Sequence, residues 1–190
     1  MFKRALGLLI VTGLLAGFAK SGSALFTSAA TISANTFTTG TLELTTSPTT
    51  ALVTFSNMAP GDQVTAPVVV TNNGTLDLRY AITATATNPD SKSLMSQLVL
   101  TLKSGVTTCT NAGFSVDGTQ LYAGALGSTA GINVVGDPSA GAQSGDRNLS
   151  ANTNETLCFN VTLPLGTGNA YQNATTTATF TFAAEQTINN

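Results

Sequence analysis

The stretch LDLRYAITATAT, residues 76–87, decides how the rest of the chain is read. Leu76, Leu78, Tyr80, Ile82, Ala84 and Ala86 fall on one side of an extended chain. Asp77, Arg79, Thr83 and Thr85 fall on the other. This period of two, with threonines on the polar side, marks a strand with one face toward a core and one toward water. Upstream, residues 63–71 set Val64, Ala66, Val68 and Val70 on one face, and Pro67 among them requires an edge position or a bulge. Asn72-Asn73-Gly74 lies between these two strands and reads as a hairpin turn. Earlier still, residues 51–56 place Val53 and Phe55 together, and Pro60-Gly61-Asp62 is a turn in which Pro presets one dihedral and Gly accepts a positive φ.

Downstream, Asn88-Pro89-Asp90 ends the strand and residues 93–97 suit a helical turn. Alternation returns with Leu98, Leu100 and Leu102. Leu121 and Tyr122 mark a short strand. Residues 127–148 are rich in Gly, Ser, Ala and Asp, and read as a long surface loop with a small strand near Val134. Residues 156–164 turn Leu157, Phe159, Val161 and Leu163 inward and so place Cys158 on the opposite face. Residues 175–186 close the chain with Ala178, Phe180, Phe182 and Ala184 inward. No stretch sustains a helical period. Short strands punctuated by turn signals predict an all-β fold, an antiparallel β-sandwich of the jelly-roll type spanning residues 40–190.

The N-terminus reads differently. Lys3 and Arg4, an apolar run over residues 5–19 and the small residues Gly22-Ser23-Ala24 form a secretory signal, removed after residue 24. A retained transmembrane or pilin-type helix is the alternative. The run is about 20 Å long as a helix, short of the ~30 Å hydrocarbon core. Removal exposes LFTSAATISANTFTT, residues 25–39, as the new chain end. Phe26, Ala30, Ile32 and Ala34 share one face of this stretch. Near Asn35 the apolar phase shifts, which calls for a bend or bulge, and Gly40 supplies a hinge. Such an arm can be the first strand of its own sandwich or can pair with a second molecule.

Composition narrows the function. The chain is 190 residues long, 42% hydrophobic and only 8% charged. Past residue 24 the cations are Arg79, Lys92, Lys103 and Arg147, against nine carboxylates. No basic patch exists to hold nucleic acid. A surface so poor in charge is weakly guarded against association. Cys109 and Cys158 are the only cysteines. In a secreted chain they pair, with about 4 kcal/mol from loop closure; two buried free thiols are the alternative. Histidine is absent, which removes Ser-His catalysis and the HExxH zinc site. The carboxylates are scattered beside turns and read as solvated turn residues. Asp137 and Asp146 flank the Gly-rich loop but lack the dense spacing of a calcium loop. No cofactor motif and no metal site is expected. Sequons begin at Asn73, Asn148, Asn154, Asn160 and Asn173 as candidate N-glycosylation sites, about as many as this composition supplies by chance.

An ordered series of short motifs resembles a known family. It runs FTTGTLEL (residues 37–44), MAPGD (58–62), VTNNGTL (70–76), NAYQ (169–172) and FTFAAEQ (180–186) behind an apolar leader. This series is similar to the TasA/camelysin family of secreted proteins, which includes biofilm fibre subunits and archaeal bundling pili. The resemblance implies a secreted jelly-roll subunit that forms a head-to-tail homopolymer by donor-strand exchange. Residues 25–39, led by Phe26, Ala30, Ile32 and Ala34, would be the donor, and neighbouring fibres further partners in a matrix or cell-surface filament. The metalloprotease activity ascribed to camelysins does not carry over to a chain with no histidine, so no enzyme activity is expected. Two other classes stand beside the fibre subunit. One is a monomeric secreted binding module or adhesin, for which the absence of Trp and the three Tyr offer few exposed aromatics. The other is a secreted hydrolase.

Overall fold

The computed structural model describes residues 36–49 and 57–188. The signal, donor and residue 51–56 readings fall outside these residues, apart from 36–39 at the end of the arm.

Two antiparallel sheets face each other across one core. The first has the order β1 (Leu44–Ser47), β2 (Gln63–Asn72), β8 (Asn154–Thr162), β4 (Val99–Ser104) and β5 (Thr119–Ala125). The second is built around β3 (Leu78–Ala86). Along one edge of β3 runs β9 (Ala178–Gln186), paired from Leu78↔Gln186 to Ala86↔Ala178. Along its other edge lie β7 (Arg147–Leu149) and β6 (Ile132–Val135). One helical turn, Leu94–Gln97, precedes β4. The fold is the all-β sandwich that the alternation predicts.

The inward residues of the sequence reading form the core. Val70, Leu78, Ile82, Ala84, Leu100, Leu102 and Leu157 are fully buried, and Tyr80 and Phe159 nearly so. Each large aliphatic among them contributes about 1.5–3 kcal/mol by leaving water. Phe159 meets Phe180 edge-on across the sandwich, with ring centroids 5.0 Å apart, a geometry that the ring quadrupoles favour. Among the described residues β1 pairs with Val69–Asn72 of β2, and Pro67 lies opposite Cys158 of β8.

Asn72-Asn73-Gly74 is not a hairpin. β2 and β3 lie in different sheets, and the segment is an arch between them. The Asn72 side chain, wholly buried, is its fastener. Its amide nitrogen donates to Leu76 O (2.8 Å) and Leu149 O (3.1 Å), and its oxygen accepts from Gly74 N (2.9 Å). A Cβ at Gly74 would collide with the backbone oxygen of Thr41. The Asn-Gly pair therefore serves close packing of two chain segments rather than a two-residue turn. Pro60-Gly61-Asp62 is the turn expected, with Gly61 at φ 99° and Asp62 N donating to Ala59 O.

Candidate functional site: an open groove between two sheet edges

The two flanks of the sandwich differ. On one, the free edges of β5 and β6 approach each other, and the linking chain spans the gap. Leu126 N donates to Leu98 O, and Ala86 N to Ser128 O. Leu126 and Val134 are buried beneath. On the other flank, β1 and β9 are the outermost strands of their sheets among the described residues. Between them lies a groove of about 510 Å³ lined by Leu42, Leu44, Thr46, Phe180, Phe182 and Ala184, with Thr181 at its rim. β1 ends at Pro48, which has no N–H to continue a ladder. β9 alternates a small or aromatic side chain inward with threonine outward over its first half. The result is a neutral, apolar trough between two strand edges. Leu42 is 44% exposed, and Leu44, Phe180 and Phe182 are half-buried.

Uncovered apolar surface of this kind marks a binding surface, and a free strand edge is a template for another strand. Among the described residues the lining of the trough carries no ionisable side chain. What it offers a ligand is backbone hydrogen-bonding groups and apolar pockets at alternate positions, the mode by which extended peptides are bound.

The carboxylates do a different job. All six aspartates fasten turns through backbone N–H groups. Asp62 accepts from Ala59, Asp77 from Ala151, Asp90 from Lys92 and Thr175, and Asp117 from Thr107. Asp137 accepts from Ser139, and Asp146 from Asp137 and Gln143. A backbone N–H donated to a carboxylate can favour its charged form, and at three of these aspartates it does. The backbone N–H groups of Lys92 and Thr175 hold Asp90 below the usual carboxylate range. Thr107 does the same for Asp117, and Ser139 for Asp137. Glu155 joins the sheets: it accepts from Tyr80 Oη (2.8 Å) and pairs with Arg147 (2.5 Å). Burial, then Glu155, pushes the Tyr80 hydroxyl far up, so it remains a donor.

Arg79 departs from expectation in one respect. It points outward from β3, yet it is only 5% exposed. Residues 136–146 fold over it: Arg79 Nε donates to Glu185 (2.5 Å) and to Gly141 O (3.1 Å), and Asp146 lies 3.9 Å away. The Gly-rich stretch is thus a tethered cover, not a free loop. Within it, the two oxygens of Asp146 accept from the backbone N–H groups of Asp137 and Gln143.

The cysteines form the disulfide Cys109–Cys158, with Cα atoms 5.6 Å apart. It pins residues 105–118 to the outer face of the first sheet, where Lys103 donates to Phe114 O and Asp117 O. Of the sequon asparagines, Asn73, Asn148, Asn154 and Asn173 are exposed. Asn160 is 5% exposed and its amide nitrogen donates to Gln63 Oε1 and Thr65 Oγ1. The donor residues Phe26, Ala30, Ile32 and Ala34 lie outside the described residues.

The described residues thus form a two-sheet sandwich with an apolar groove between two of its outer strands. The comparisons agree in lineage. The family model described as camelysin metallo-endopeptidase matches residues 1–98, and the chain belongs to that family. No curated protein matches it. At family level it is a secreted, biofilm-related protein. Among the described residues no helix is long and apolar enough to cross a membrane.

The family's description implies a metal, and the residues do not fit one. The chain has no histidine, and both cysteines are bonded to each other. Every carboxylate lies among the described residues, and no three of these groups come together as ligands. Zinc proteases need imidazole or a comparable three-ligand set, and this donor set does not supply it.

Proposed function

We propose that the chain is a non-enzymatic structural subunit of an extracellular fibre. Signal cleavage after residue 24 frees residues 25–39, and this arm fills the groove between β1 and β9 of the next copy. Repetition head to tail does not close on itself and runs on as a filament. The filament belongs in a biofilm matrix or at the cell surface, where it can associate with neighbouring fibres. The exposed asparagines Asn73, Asn148, Asn154 and Asn173 serve as glycan acceptors on its surface.

The observation that carries this reading is the open flank. The groove is apolar and its lining uncharged, and residues 25–39 hold no charge and one apolar face. Phe26 and Ile32 each contribute about 2 kcal/mol on burial. The arm must also give up chain entropy of about 1–2 kcal/mol per residue. Net association therefore draws on what the acceptor gains when its own exposed leucines and phenylalanines are covered and its edge is paired.

Electron microscopy of the purified mature chain, with and without residues 25–34, tests the proposal. Filaments from the intact chain alone, with both forms melting as folded domains, are the expected result. Filaments of equal abundance from the truncated chain would overturn it.

A further inference from the structure

Among the described residues β1 and β9 are the outermost strands beside the groove, and one arm can extend only one sheet. Resting on the function proposed above, we infer that the incoming arm of a second copy pairs with β9, antiparallel to it, and hydrogen-bonds to Ala178, Phe180, Phe182 and Ala184. Three independent features of the fold point there.

The first is the direction of the backbone groups. In an antiparallel pair, alternate residues bond to the partner and the others present their N–H and C=O to the opposite side. At one end of β9, Thr87 N donates to Thr177 O; at the other, Thr187 N donates to Asp77 O. Both bonds engage odd-numbered residues of the C-terminal strand and follow the register Leu78↔Gln186. The odd positions therefore bond to β3, and Ala178, Phe180, Phe182 and Ala184 turn their backbone groups to the open edge. The side chains of Phe180, Phe182 and Ala184 also line the groove. An arm residue directly opposite one of them points its own side chain inward as well. The inward arm residues Phe26, Ala30, Ile32 and Ala34 are thus the ones that both fill the groove and bond to β9.

Length is the second feature. β9 spans nine residues and β1 four. Residues 25–34 extend over roughly 30 Å at about 3.3 Å per residue. They match the longer edge and overrun the shorter.

Polarity is the third. The body begins at the pole that holds the arch, where Thr41 O accepts from Thr75 N. β9 ends at that same pole, since Thr187 bonds to Asp77. In a head-to-tail stack the neighbour's arch pole meets the acceptor's opposite pole. The arm then enters from there, and its N-terminus reaches toward the acceptor's arch. This course is antiparallel to β9 and parallel to β1, which starts at the arch with Leu44↔Asn72. Antiparallel pairing is the more stable per residue.

Proline on either edge, in the full mature chain, separates the choices. Ala184→Pro removes an N–H that faces the open edge of β9. Thr46→Pro does the same on β1, because Asn73 N donates to Glu43 O and so the odd positions of β1 face β2. Both side chains line the groove, so the two rings intrude alike. The expected result is filament growth slowed about tenfold or more by Ala184→Pro, the scale of one or two lost buried hydrogen bonds, and little changed by Thr46→Pro. Residue-resolved hydrogen exchange supplies a second readout on the unaltered chain. The amides of Phe180, Phe182 and Ala184 should exchange fast in the monomer and become protected in filaments, while Thr181 and Ala183 stay protected in both. If Thr46→Pro stops growth and Ala184→Pro does not, or if those three amides stay fast in filaments, the assignment to β9 is wrong while arm donation stands. Filaments from the chain lacking residues 25–34 would instead remove the arm itself.

Discussion

On the β5–β6 flank the chain crosses between the sheets within a few residues, buries Leu126 and Val134 and satisfies Leu98 O and Ser128 O on the way. On the β1–β9 flank, two strands of very different length stop short of each other, and four large apolar side chains are left partly in water. The same alternation of apolar and polar residues builds both flanks. What separates them is whether the described chain returns to cover the gap. A sandwich edge is closed by connection, and where no described segment crosses it the same side chains stay partly in water.

Four measurements sharpen or break this contrast, the largest expected effect first. Leu126→Ala on the closed flank should lower the unfolding free energy of the monomer by about 2–5 kcal/mol, read by urea denaturation. A loss under about 1 kcal/mol would mean that flank is not closed as described. Reduction of Cys109–Cys158, or Cys158→Ser, should cost about 2–4 kcal/mol and leave filament formation intact in conditions where the monomer stays folded. The disulfide lies on the outer face, remote from the groove lining, so loss of filaments from a folded, reduced monomer would contradict that placement. Phe182→Ala on the open flank should cost the monomer only about 1–2 kcal/mol, because the ring is half-buried there, yet slow filament growth markedly. Equal effects of Leu126→Ala and Phe182→Ala on filaments would erase the distinction between flanks.

The smallest effect is that of pH. Asp90, Asp117 and Asp137 have folded-state pKa values held below the unfolded value by hydrogen bonds. Their contribution is therefore full above the unfolded pKa, about 4, and is lost as pH falls through the depressed folded values. Melting temperature should be flat from pH 7 to about 5 and decline below about 4. A decline beginning near pH 6 would assign the turns to some other group.

The sandwich was legible because its strands alternate: among the residues read as inward over 76–87 and 156–164, Leu78, Tyr80, Ile82, Ala84, Leu157 and Phe159 are buried in the core. Cys158 on the outer face followed from the same count. Three features were hidden. Asn-Gly at 73–74 is chemically a hairpin turn, and only the burial of Asn72 between two sheets makes it an arch. Arg79 has the outward parity of a solvated residue, and residues 136–146, which bury it, carry no apolar signal. The three-residue strand β7 is too short to show a period at all. The groove itself was half legible: Phe180 and Phe182 read as inward residues, and nothing in the pattern says that they meet Leu42 and Leu44 across a groove. That fact depends on which strands end up outermost, a property of connectivity rather than of local sequence.

The claim beneath all of this is that the open flank is completed by residues 25–39 of another copy. Its most direct test is competition in growing filaments of the full mature chain with an excess of a free peptide of that sequence. The peptide should occupy the groove at growing ends and shorten the filaments in proportion to its concentration, while the same peptide carrying Ile32→Lys should not. Filaments of unchanged length and number at saturating peptide would contradict the account.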